Sequence, residues 1–285
     1  MEPSDYRNPS APPERLQTPS AAHAAWVHSV MGRHALAWEQ GELDRLVADV
    51  FGYHAVQLGL AGIEGLRANR MPSRWLMLDE DFEQASAART AWQGSADSVL
   101  RADFHALPFP ASSLDLVVLP HTLEMTPDPH LTLREVERVL RPEGRVVLAG
   151  FNPASLWGLS ERQSRLAFWR RQTADTLGGT GNWVGYWRLR DWLRLLSFEV
   201  EGGRFGCYIP PVRSERWRER LGWLEPLGDR WWPVLGSVYI LIAVKRVRGM
   251  RLVGLSRSRR RVQAAAPAVV TQRHPRSWPP SEDAR

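Results

Sequence analysis

The sequence predicts an α/β protein built on a parallel sheet, and three features of residues 100–152 predict it. Residues 114–119 and 145–150 are apolar, β-branched runs with the length of strands covered on both faces. Between them Leu131, Leu133, Val136, Val139 and Leu140 fall at helical spacing among Arg134, Glu135, Glu137 and Arg138. Pro142-Glu143-Gly144 supplies the turn from that helix into the next strand. Strand, helix, strand makes a parallel βαβ unit, and ligands of such sheets sit at the carboxyl ends of the strands. Asp103, Pro120-His121 and Asn152 stand there and are the first candidates for chemistry.

With 285 residues the chain has room for one large domain or two small ones. Its one cysteine, Cys207, excludes an intramolecular disulfide framework and a Cys-rich zinc site. The N-terminus lacks the basic-then-apolar layout of a secretory signal, and no apolar run reaches the ~18 residues of a membrane span. The expected location is cytoplasmic. The net charge of +6 is unevenly spread. Residues 246–285 hold ten arginines against two acids, whereas residues 1–245 hold 27 basic and 29 acidic residues. Basicity therefore belongs to the tail. Such a tail reads as a solvated extension, with nucleic acid or an anionic membrane as its partner should it have one.

Taken in order, residues 1–20 are proline-rich without apolar periodicity and are expected to be disordered. From 21 to 51 helical spacing appears, and Gly32 and Gly41 are expected to break it into two or three pieces. Residues 55–58 form a short strand, followed by Gly59-Leu60-Ala61-Gly62-Ile63-Glu64-Gly65. Small residues there let the backbone turn tightly and approach a ligand, and a helix beyond the turn would offer its N–H groups to a carboxylate. Residues 75–78 form the second strand. Asp79 at its end is placed either to accept ribose hydroxyls or to cap a helix starting near Phe82. Residues 99–102 form the third strand. Asp103 follows it, reading as a turn residue or, with Phe104 beside it, as one wall of a site for a flat heterocycle.

Three runs carry a family resemblance: Ala102-Asp-Phe-His-Ala-Leu-Pro-Phe, Ser113-Leu-Asp-Leu-Val-Val-Leu-Pro-His-Thr-Leu-Glu, and Leu133-Arg-Glu-Val-Glu-Arg-Val-Leu-Arg-Pro-Glu-Gly-Arg-Val-Val-Leu. They resemble class I S-adenosylmethionine-dependent methyltransferases, most of all the branch with the ubiquinone and menaquinone methyltransferases. The resemblance is close over 51–152 and looser over 186–246. It implies S-adenosylmethionine as cofactor, with Gly59 and Ala61 beside the methionine part and Asp79 under the ribose. It implies Asp103 at the adenine amino group with Phe104 alongside, and Pro120-His121 at the sulfonium end. The family's first turn is usually G-x-G-x-G after an acid. Here Gln57 replaces the acid, Ala61 the second glycine and Ile63 the third.

Beyond Asn152 the chain turns aromatic. Residues 151–187 form a tryptophan-rich insert, with Trp157, Trp169, Trp183, Tyr186 and Trp187, that reads as a lid over a substrate or as a static cap. A helix over 188–196, a strand at 197–201 and a final strand over 236–246 resemble the antiparallel closing hairpin of the methyltransferase sheet. The expected fold is thus a doubly wound, Rossmann-like, seven-stranded sheet, mostly parallel with that hairpin. The expected organisation is a disordered 1–20, a methyltransferase-like domain over 21–246 and a basic disordered tail over 247–285. The excursion from 206 to 233, with Trp217, Trp223, Trp231 and Trp232, reads as an apolar face near the mouth of the site or as core.

Methyl transfer from a sulfonium is an in-line displacement, so the enzyme mainly aligns the nucleophile and excludes water. A base is needed only when the nucleophile must lose a proton. His121 is the candidate base, its other reading being a positioning or capping histidine. No Asn/Asp-Pro-Pro-Tyr/Phe follows the fourth strand, which disfavours N-methylation of bases and glutamine side chains. No metal site is expected from His105, His121 and His130. The leading function is methyl transfer to a small, apolar or aromatic acceptor. The alternative, which the altered turn suggests, is an inactive methyltransferase-fold binding or scaffolding protein.

Overall fold

The structure, a computed structural model, describes residues 26–79, 96–160, 183–212 and 214–246. The expected disordered N-terminus and basic tail, the helix near Phe82 and residues 161–182 of the insert lie outside the described residues. The chain divides into Met1–Val247 and Arg248–Arg285, and every described residue belongs to the first unit.

Seven strands form one sheet: β1 (His54–Leu58), β2 (Ser73–Leu78), β3 (Ser98–Arg101), β4 (Leu114–Pro120), β5 (Leu140–Phe151), β6 (Phe198–Gly206) and β7 (Val238–Lys245). Their order is β3-β2-β1-β4-β5-β7-β6. The first five run parallel, and β7 lies antiparallel between β5 and β6. The sequence order reverses between β1 and β4, which makes the crevice above them the switch point of the sheet. β1 shows why the fold is doubly wound. Its Val56 and Leu58 pack with Leu133 and Val136 on one face, and its Ala55 packs with Leu43 and Val47 on the other.

The helix α1 (Val30–Val47) runs unbroken through Gly32 and Gly41, against the expected two or three pieces. Ser29 caps it, its hydroxyl accepting from the Gly32 N–H at 2.9 Å. Met31, Ala35, Glu39, Leu43 and Val47 recur every four residues on its buried side. That burial outweighs the ~1 kcal/mol which each internal glycine costs relative to alanine. The helix expected after the first turn is absent, since residues 59–72 form turns and bends. Side-chain amides take over the backbone bonding there. Gln40 donates to the Glu64 carbonyl (3.0 Å) and accepts from the Glu64 N–H (2.9 Å), while Asn69 accepts from the Met71 N–H (3.0 Å).

The short helix α2 (Thr122–Met125) follows β4, and α3 (Pro129–Val139) links it to β5. Asp128 caps α3 by accepting from the His130 and Leu131 N–H groups (2.9 and 3.1 Å), with Pro129 at the first helical position. Lys245 at the end of β7 closes the other end, donating to the Leu140 carbonyl at 3.0 Å and pairing with Glu137 at 2.8 Å. After the insert come α4 (Tyr186–Leu195), then α5 (Glu215–Arg220) and α6 (Leu224–Trp231) within the excursion. Among the described residues no helix is long and apolar enough to cross a membrane.

Candidate functional site

The turn after β1 is held by Gln57. This fully buried side chain donates to the Leu60 and Ile63 carbonyls (2.7 and 2.9 Å) and accepts from the Gly65 N–H (2.8 Å). An acid there accepts but cannot make the two donations, so the amide is matched to this turn. Gly59 has φ +90, and a Cβ on it would lie 2.9 Å from the Thr122 hydroxyl. That hydroxyl in turn donates to the Leu58 carbonyl at 2.6 Å, tying β1 to the start of α2. Neither Ala61 nor Ile63 has a positive φ, and Ile63 is buried in the core. The turn is thus built without glycines at these two positions.

Asp79 follows β2 and is exposed. Asp103 stands two residues past β3, also exposed, its carboxylate accepting from the His105 N–H at 2.8 Å and pairing with the His105 ring at 2.9 Å. Phe104 turns the other way, into the core cluster that holds Met77 and Leu107. Pro120 ends β4 opposite Ala149 of β5. Gly59, Asp79, Asp103 and Pro120 therefore mark the carboxyl ends of four neighbouring strands. Asn152 serves the scaffold, donating to the Val234 and Gly236 carbonyls (2.8 and 2.9 Å).

His121 is the best-anchored polar group of this edge. It is fully buried and left-handed (φ 53), a conformation sustained only where the surroundings enforce it. Nδ1 lies 2.9 Å from Glu124 Oε2 and Nε2 lies 2.8 Å from Glu39 Oε1. Burial alone pushes the ring toward neutrality, but the Glu39 and Glu124 carboxylates together outweigh it and raise its pKa from 6.5 to about 10. Glu124 Oε1 also accepts from the Phe151 N–H at 2.6 Å. Trp26 meets the His121 ring edge-on at 5.7 Å, Phe151 lies 4.3 Å from it, and Trp183 stacks on Phe151 at 5.0 Å. Trp157, wholly buried, donates to the Ile209 carbonyl at 2.7 Å. Trp217, Trp223, Trp231 and Trp232, by contrast, are 55–65% exposed, so the excursion is not core at these positions. Sequence reasoning missed Glu39 and Trp26. The available signal was a carboxylate at the four-residue spacing of a buried stripe.

Residues 60–148 match the family described as a methyltransferase domain. The Escherichia coli protein YafS is 33% identical over 181 residues, which span 62% of this chain and 68% of that protein. The chain belongs to the family of YafS, and its core carries a methyltransferase domain. The malonyl-[acyl-carrier protein] O-methyltransferase of Halorhodospira halophila is 46% identical over 55 residues, 19% of either chain. Among solved structures, an S-adenosylmethionine-dependent methyltransferase of Thermotoga maritima, described as a possible histamine N-methyltransferase, superposes with a TM-score of 0.55. It shares 16% identity over 78% of this chain and 94% of its own. One from Mesorhizobium loti superposes with a TM-score of 0.50 at 18% identity, over 74% of this chain and 99% of its own. At these identities the two superpositions speak for the fold.

The methyltransferase domain's own residues fit the family's cofactor. Gly59 leaves open the space beside Thr122 that a Cβ would fill, and Asp79 and Asp103 present exposed carboxylates at the next two strand ends. These are acceptors for hydroxyl and amino hydrogens, as a nucleoside requires.

Proposed function

We propose that this protein transfers the methyl group of S-adenosylmethionine to a small acceptor held against the aromatic side chains around Phe151. The observation that carries the reading is the fit of a Gly59 turn and two exposed strand-end carboxylates to a nucleoside cofactor, the carboxylates lying within the matched stretch 60–148 and Gly59 directly before it. In this reading the Gly59–Ala61 turn lies along the methionine part, Asp79 accepts the ribose hydroxyls and Asp103 accepts the adenine amino group. Phe104 supports that wall from the core, and Pro120 borders the sulfonium. The cofactor supplies a methyl group already activated by positive charge. The chain binds, orients and excludes water.

His121 enters as a positioning residue. Both ring nitrogens face carboxylates and the raised pKa keeps its proton at neutral pH, so it has no lone pair to offer as a base. The acceptor then attacks with a lone pair it already has, or loses its proton to water. Trp26, Phe151 and Trp183 favour an apolar or aromatic acceptor, in keeping with a place beside the ubiquinone and menaquinone methyltransferases.

Calorimetry with S-adenosylmethionine and S-adenosylhomocysteine tests the reading. Wild type is expected to bind both, and Asp103→Ala roughly tenfold more weakly, the worth of one charge-assisted hydrogen bond. No detectable binding of either by wild type would sink the proposal. Metabolite extracts screened for a mass gain of one methyl group, with and without the protein, then identify the acceptor.

A further inference from the structure

The buried ion cluster at the end of β4 is one donor short. Glu124 uses both carboxylate oxygens, one on the Phe151 N–H and one on His121. Glu39 uses only Oε1, on His121, and its Oε2 is buried without a hydrogen-bond partner. A desolvated carboxylate oxygen without a donor is among the costliest groups to bury, and such an oxygen in a well-formed cluster points to a missing partner. One imidazolium between two carboxylates also leaves a formal negative charge in a fully buried place. A partner that brings both positive charge and a donor hydrogen meets both demands at once. A sulfonium brings the charge without the hydrogen, and an ammonium brings both.

The cluster adjoins the cofactor turn, because Thr122, next in sequence to His121, bonds the Leu58 carbonyl and touches Gly59. Within that turn, residues 57–63, Gln57 is the only polar side chain, and its atoms are engaged by Leu60, Ile63 and Gly65. Positions 57–63 thus offer no anionic side chain. Resting on the function proposed above, we propose that Glu39 Oε2 receives the α-ammonium group of the cofactor's methionine part, with His121 holding the carboxylate from its other oxygen. The first helix of the domain thereby contributes a binding residue that the β1 turn lacks.

The isosteric variant Glu39→Gln tests this by calorimetry against three ligands. S-adenosylmethionine and S-adenosylhomocysteine, which both carry the ammonium, are expected to bind roughly 10- to 100-fold more weakly than to wild type. 5′-Methylthioadenosine, which lacks the amino-acid part, is expected to change less than about twofold, within the scatter of an uncoupled substitution. Unchanged binding of the first two overturns the proposal. So does a loss confined to S-adenosylmethionine, which would make the sulfonium the partner, and so does an equal loss for all three, which would make Glu39 merely structural. A second arm needs no variant: wild type should lose the same factor for S-adenosylhomocysteine stripped of its amino group, and no loss there overturns the proposal equally. Wild type that binds none of these ligands would instead refute the cofactor reading itself.

Discussion

At the scale of the residue, Gln57, one of the three departures of the first turn from its family resemblance, is chemically matched to its surroundings. Gln57 makes two donations and one acceptance with no solvent contact. Restoring the family's acid, Gln57→Glu, sets a carboxylate against two carbonyl oxygens, and we expect a loss of about 2–4 kcal/mol in urea denaturation. A variant as stable as wild type would show that the turn does not depend on the amide. His121 gives a pH signature. Its folded pKa of about 10 exceeds the ordinary 6.5, so its contribution to stability is complete below 6.5 and fades as pH rises through 10. Wild-type melting temperature should fall over that window more steeply than that of His121→Gln, as thermal scans across a pH series will show.

Asp103 and the Gly59 turn were legible because short-range signals, a strand end and a run of small residues, place them. Glu39 was legible only as a buried position, from its four-residue spacing; its contact with His121, 82 positions away, is encoded by no local pattern. Phe104 illustrates the same limit. Its neighbours in sequence belong to the candidate site, yet its side chain belongs to the core.

At the scale of the element, periodicity located the strands well and described helix continuity poorly. Gly32 and Gly41 weaken α1 intrinsically, but the buried stripe from Met31 to Val47 decides the outcome. The missing helix after β1 has the converse origin: amides from Gln40, Gln57 and Asn69 satisfy backbone groups of Glu64, Leu60 and Met71 that a helix would otherwise pair. The cap of α3 should behave independently of the site. Asp128→Ala is expected to cost about 1 kcal/mol, read as a shifted denaturation midpoint with cofactor affinity unchanged. Gly59→Ala should do the reverse. It forces a side chain into φ +90 against Thr122 at 2.9 Å, so nucleoside binding should fall at least about tenfold while far-UV dichroism stays that of wild type.

At the scale of the whole molecule, the sheet order follows from alternating strands and helices with a closing hairpin, and the seven-stranded architecture was readable in the sequence. What escaped was the exposure of Trp217, Trp223, Trp231 and Trp232, since an aromatic run reads the same whether it faces a core or solvent. If the cofactor binds only the native state, saturation at about a hundred times Kd should add about 2.7 kcal/mol of stability, seen as a raised melting temperature with S-adenosylhomocysteine.

The insertion of β7 between β5 and β6 has a consequence in time. Among the described residues β6 has no neighbour in the sheet besides β7, which is synthesised after it, so its ladder waits on a later strand. Until residues 238–245 emerge, β5 ends in an open edge and Lys245 has not yet sealed α3. A chain halted before Val238 should therefore leave residues 198–206 unprotected in hydrogen exchange. In the growing protein, closure of the sheet follows the synthesis of β7.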